Sequence, residues 1–185
     1  MVFLWRKRMK KQSTRKLVFA ALFLALGLVL PFLTAQIPQV GSMLLPMHLP
    51  VLLCGFVCGW PYGLLVGAVT PLLRSMLFSM PPLYPTAVAM AFELAAYGLL
   101  AGLFYKLLPK KPVYVYVSLI LAMLGGRVVW GLVQMILMSL VAQPFTWQIF
   151  MAGAFGNALP GIAVQLVLIP VIVLALRSAR LMDHE

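Results

Sequence analysis

The chain has 185 residues, 64% of them hydrophobic and only 9% charged, with a mean hydropathy of +1.06. A water-soluble domain of this length needs far more charge to cover its surface, so the composition excludes a soluble fold and leaves no room for a separate soluble domain. The net charge of +11 comes from 14 Lys and Arg against three acids. Because the basic residues fall at helix ends and at the N-terminus, they match contact with anionic headgroups, not nucleic-acid binding.

Residues 1–16 carry Arg6, Lys7, Arg8, Lys10, Lys11, Arg15 and Lys16 and read as a basic cytoplasmic segment. The membrane domain is predicted over 17–177 as an all-α bundle of six transmembrane helices, and 178–185 as a cytoplasmic tail. The first span runs from Leu17 to about Leu33. Pro31 and Gln36 follow it without a small-x-small cleavage site, so it reads as a retained helix and not as a signal peptide. After a Pro-containing polar connection comes a short second span, about His48 to Cys58, opened by Pro46 and Pro50. The third covers about Gly63 to Phe78, after the turn Gly59-Trp-Pro-Tyr62. Pro81, Pro82 and Pro85 mark a tight loop before the fourth, about Thr86 to Leu107. The fifth spans about Val113 to Leu140. Gln143-Pro-Phe-Thr146 breaks the run, and the sixth extends from about Gln148 to Leu176, long enough to tilt or to contain a break at Pro160.

Loop charge sets the orientation. With the N-terminus inside, the inner segments hold the seven residues above, Lys106, Lys110, Lys111, Arg177 and Arg180, while loops 34–46, 80–85 and 141–147 hold no basic residue. This bias predicts both termini in the cytoplasm of a multi-pass membrane protein. Gly55, Gly59, Gly63 and Gly67 recur every four positions, a pattern that lets helices approach closely within one bundle. Ala21 and Ala25 repeat the spacing in the first span, where a contact inside the bundle and one with another protein are equally open. Cys54 and Cys58 share a helix face, but with no second Cys or His pair they read as packing residues and not as a metal site.

Three charges fall inside spans: Arg74, Glu93 and Arg127. Each costs roughly 2.5–3.5 kcal/mol at a helix centre, so each is expected to face the interior and to find a partner. If all three share one site, a positive charge is left over, suited to a mononegative ligand held by a guanidinium. The alternative is that one Arg pairs with Glu93 while the other satisfies backbone carbonyls. Arg127, Trp130 and Gln134 share one helix face. With His48, Tyr84, Gln39 and Asn157 at the outer ends of spans, and with Gln36 and Gln165 also in view, they are the candidate lining of a small-molecule pocket. For Tyr84 and Trp130 interfacial anchoring is the competing role, and for His48 capping or packing.

The sequence has no G-x-x-x-x-G-K-[ST], no HExxH and no GxSxG. Nucleotide hydrolysis through a P-loop and the corresponding enzyme classes are therefore not expected, and no cofactor is implied. With one intramembrane acid and no evident inverted repeat, a self-contained secondary carrier or channel is the weaker alternative.

Four stretches carry a family resemblance: Ala21-Leu-Phe-Leu-Ala25, Leu45-Pro-Met-His-Leu-Pro-Val-Leu-Leu-Cys-Gly-Phe-Val-Cys-Gly59, Pro71-Leu-Leu-Arg-Ser75 and Ala91-Phe-Glu-Leu-Ala-Ala-Tyr-Gly98. Together with the length and basic inner ends, they resemble the substrate-binding S components of energy-coupling factor (ECF) vitamin transporters over nearly the whole chain. The resemblance implies capture of a vitamin from outside and docking on a transmembrane coupling protein with two ATPases. It implies delivery by toppling of the S component, and it makes Ala21 and Ala25 the docking contacts. The quoted segments look most like the pantothenate branch, and the surplus positive charge favours a carboxylate vitamin. Pyridoxine-like, nicotinate and queuosine-related ligands stay open.

Overall fold

The computed structural model describes residues 2–34, 43–179 and 181–182, with side chains from residue 14 onwards. Gln36, Gln39, Arg180, Asp183 and Glu185 lie outside the described residues. All the regular structure described is helical. Helix α1 (Val2–Val29) continues into a 3-10 turn, Leu30–Thr34. Then follow α2 (His48–Cys58), α3 (Trp60–Phe78), α4 (Val88–Leu107) with a widened lead-in Leu83–Ala87, and α5 (Pro112–Leu140). A short α6 (Trp147–Met151) and a wide turn Ala152–Gly156 precede α7 (Leu159–Ser178).

Five of these helices are long and apolar enough to cross a bilayer. Helix α2 is not. Its 11 residues rise about 16 Å, roughly half of a hydrocarbon core of about 30 Å. The second predicted span is therefore a half-length helix packed inside the others, and nearly every residue of it is buried. The last predicted span divides as Pro160 suggested: α6 and the wide turn form one piece and α7 the other.

Gly59 joins α2 to α3 with φ of 93°, a left-handed backbone that suits glycine. It is the whole connection, because Trp60 and Pro61 already form the first turn of α3. The helices that meet there pack through glycine against α4. A Cβ added to Gly98 would lie 2.1 Å from the Gly63 carbonyl oxygen, one on Gly67 2.2 Å from the Leu94 oxygen, and one on Gly55 2.5 Å from the Gly98 oxygen. The four-residue glycine repeat is thus an internal seam, as close packing between apolar helices requires. Gly59 is its exception, serving the turn.

Two ends of the bundle differ in charge. At one, Arg177 donates to the Lys110 carbonyl and Arg15 to the Leu181 carbonyl, gathering basic residues from α1, the α4–α5 turn and the end of α7. At the other, the Phe32 and Phe78 rings meet edge to face at 5.0 Å, and the Tyr84 hydroxyl donates to the Leu137 carbonyl at 2.7 Å. The start of α7 closes on the segment before α2, where a Cβ on Gly161 would touch the Met43 oxygen at 2.6 Å. The core centres on α2, α4 and the facing sides of α5 and α7, joined by Ala20 and Phe23 of α1, Val66 of α3 and, at the basic end, Met182.

Candidate functional site

Glu93 sits on α4 about one and a half turns from its start, facing inward, and is 2% exposed. An ionised carboxylate so deeply buried needs compensation. It comes from α5: Arg127 Nη1 donates to Glu93 Oε1 at 2.8 Å. From α2, His48 Nε2 lies 3.5 Å from the same oxygen, too far and too poorly aligned for a hydrogen bond. Tyr97, one turn along α4 from Glu93, places its ring edge to face with His48 at 5.3 Å. Gly126 admits that ring: a Cβ there would meet Tyr97 Cδ1 at 2.4 Å. Three helices thus bring His48, Glu93, Tyr97 and Arg127 together in the interior.

The group is incompletely satisfied. Arg127 Nη2, both ring nitrogens of His48, Gln134 Oε1 and Gln165 Nε2 are buried without a hydrogen-bond partner among the described residues. Buried polar groups are almost always paired, and each one left alone costs about 1–3 kcal/mol. The five atoms lie on α2, α5 and α7. Gln134 follows Arg127 by seven residues, two turns along the same face of α5. Gln165 forms the polar floor of a half-open cleft of about 200 Å³ lined by Leu30, Leu33, Leu44, Pro46, Leu49 and Val164. Leu49 of this lining and His48 of the charged cluster both lie on α2.

Arg74 is not brought to this cluster, which corrects the expectation that the three membrane charges share one site. It is 2% exposed and donates to the Leu28 carbonyl of α1. The cause is local. Pro31 has no N–H, and the chain tightens into the 3-10 turn at Leu30, so carbonyls at the end of α1 lose their regular partners. A guanidinium at that terminus supplies one and suits the negative end of the helix. The Phe32 and Phe78 rings hold it from two sides, with centroids 4.8 and 5.3 Å away. Of the two sequence alternatives, the structure has the second: Arg127 pairs with Glu93, and Arg74 satisfies a carbonyl.

The other candidates divide. Trp130 belongs to an aromatic cap, stacked on Phe150 at 6.1 Å and edge-on to Phe145 at 6.0 Å, with its ring over Gly153. Phe150 in turn lies on Gly131 of α5. The cap therefore covers the α5 face one turn beyond Arg127. Tyr84 is exposed and ties the α4 lead-in to α5 through Leu137. Asn157 is exposed at the wide turn. Ala21 and Ala25 are both exposed on α1, whereas Ala20, Phe23 and Gly27 face the bundle. Sequence reasoning missed Tyr97 and the Phe145–Phe150 cap. The aromatic at i+4 from Glu93, opposite a Gly-Gly pair, was the available signal for the first.

Residues 15–173 match the family described as "ECF transporter, substrate-specific component". No curated protein and no solved structure matches the chain.

Proposed function

The chain belongs to the family of ECF transporter substrate-specific components, and from that premise we propose that it captures a vitamin-sized polar solute in the cluster of His48, Glu93, Tyr97, Arg127 and Gln134. The observation that carries this reading is the set of buried polar atoms without partners on His48 and Arg127, which meet at Glu93, with two more on Gln134 and Gln165. A folded interior avoids such atoms unless a bound molecule or water satisfies them. The aromatic cap of Trp130, Phe145 and Phe150 keeps water from the α5 side of the cluster, which strengthens each polar contact there.

Energy comes from elsewhere in this reading: a coupling protein and two ATPases, against which the exposed face of Ala21 and Ala25 docks. Small residues leave a flat helix surface, which close helix contact in a membrane requires. The basic end faces the cytoplasm with both termini, residues 1–16 and 178–185 flank the membrane domain there, and the solute enters from the uncharged end.

Pantothenate is the proposed solute, now on different grounds. The surplus charge is gone, because Arg74 serves α1 and Glu93 offsets Arg127. What supports an oxygen-rich ligand is the unpartnered Nη2 of Arg127, an NH2 group with two N–H donors for acceptor oxygens, together with an unpartnered acceptor on Gln134 two turns along α5. Pyridoxine-like, nicotinate and queuosine-related solutes are the competitors. The test is uptake by cells unable to take up pantothenate, expressing the chain with and without an ECF energising module. Uptake only with both supports the reading; equal uptake by the chain alone makes it a self-contained carrier.

A further inference from the structure

We propose that the cleft floored by Gln165 is the subsite for an apolar arm of the solute, and that this arm carries an oxygen acceptor for Gln165 Nε2. The inference rests on the reading above and names the class of substrate: an amphipathic molecule with a polar head and a branched or cyclic apolar arm, not a small planar or fully polar one.

Three observations carry it. The first is the chemistry of the walls. Leu30, Leu33, Leu44, Pro46, Leu49 and Val164 present carbon only, and Gln165 is the one polar side chain among the lining residues. The second is the state of that amide. Gln165 is 1% exposed, yet its Nε2 has no acceptor among the described residues. A buried amide in an apolar cleft is costly unless something entering the cleft accepts its proton. The third is placement. Helix α2 supplies Leu49 to the wall and His48 to the polar cluster. The proposal sets the head of the solute at Arg127 and His48 and its arm in the cleft. A volume of about 200 Å³ holds an arm and not a whole ligand, since complete small-molecule pockets run from about 300 Å³ upward.

The architecture gives the cleft fixed walls. Gly161, one turn before Gln165 on α7, lets the Met43–Leu44 backbone lie directly on the helix. Leu30 and Leu33 come from the 3-10 turn that continues α1. An arm entering here meets surfaces positioned by backbone packing, which lowers the ordering cost of binding.

The experiment is titration calorimetry of the purified full chain, as wild type, Gln165→Leu and Val164→Trp. The probes are pantothenate and biotin, which have apolar arms bearing acceptors, and nicotinate and pyridoxine, small planar rings without such an arm. The inference expects a binder in the first group. It expects Gln165→Leu to weaken that binding about tenfold, the loss of one well-made hydrogen bond. The ligand-free melting temperature of this variant should not fall, because an unpartnered amide is replaced by a carbon isostere. Val164→Trp, which fills the cleft mouth, should weaken binding more. A binder from the second group, or unchanged affinity in both variants, overturns the inference and leaves the substrate-binding reading intact. No binding by wild type across the panel overturns both.

Discussion

Arg127 and Glu93 form a buried ion pair, Nη1 to Oε1 at 2.8 Å, between α5 and α4, and only one of the guanidinium's two terminal nitrogens is used. The pair holds a donor in the interior while cancelling the charge that would make it intolerable there. Removing one partner strands the other, a loss of roughly 3–5 kcal/mol for buried pairs. Arg127→Ala and Glu93→Ala should each lower unfolding stability in detergent by that order. The double variant Arg127→Met/Glu93→Leu should recover most of it. Solute binding should stay lost in the double variant, because its donor is gone. Recovery of binding together with stability would remove Arg127 from the site.

Arg74 is expected to behave differently from Arg127. Arg74→Met deletes the hydrogen bond to the Leu28 carbonyl and two cation–ring contacts. The summed cost is about 2–4 kcal/mol from a charged hydrogen bond and partly desolvated cation–π contacts. Thermal unfolding should show the loss, while solute affinity measured below the transition changes less than about threefold, under 1 kcal/mol. A large affinity loss with unaltered stability would return Arg74 to the binding site.

How much of this the sequence disclosed depends on what each residue answers to. That Arg74, Glu93 and Arg127 face inward was legible, because the bilayer penalises a charge wherever the helix turns it outward. Which Arg pairs with Glu93 was not. The choice depends on helix neighbours, and the partner Arg74 takes is a backbone carbonyl, which every residue has. Pro31, three residues past Leu28, was the only local trace of the need. The half length of α2 was readable from Pro46, Pro50 and Gly59. The glycine seam was readable as close packing, but not its partner Gly98 on α4. His48 stood out as a candidate, whereas Tyr97 looked like any aromatic in a span until its ring was found against His48 and Gly126.

The seam is the most sensitive packing element. Gly98→Ala drives a methyl carbon to 2.1 Å from the Gly63 oxygen, backbone against side chain with nothing flexible to yield. Overpacking of this kind costs about 1–3 kcal/mol or more. The variant is expected to melt lower and to give less folded protein in detergent. The same exchange at Gly156, where an added Cβ meets nothing closer than 3.9 Å, is expected to be tolerated. Equal stability of the two variants would contradict the close approach of α3 and α4.

Docking and binding should separate on α1. Ala21 and Ala25 are exposed while their neighbours Ala20 and Phe23 are buried, so bulky replacements do not disturb the core. Ala21→Trp/Ala25→Trp should leave solute affinity and melting temperature unchanged in the isolated chain. Co-purification with an ECF coupling protein, and uptake, should be lost. Retained uptake would move the docking face elsewhere on the bundle.

Binding of the solute by this chain alone, through the Arg127–Glu93 cluster, is tested by calorimetric titration of the detergent-purified chain with pantothenate, with no coupling protein or ATPase present. Wild type and Arg127→Met/Glu93→Leu are compared side by side. Saturable one-to-one binding by wild type and none by the double variant at equal folded fraction is the expected result. Equal binding by both, or no binding of pantothenate by wild type while another solute in the panel saturates it independently of Arg127, would contradict it.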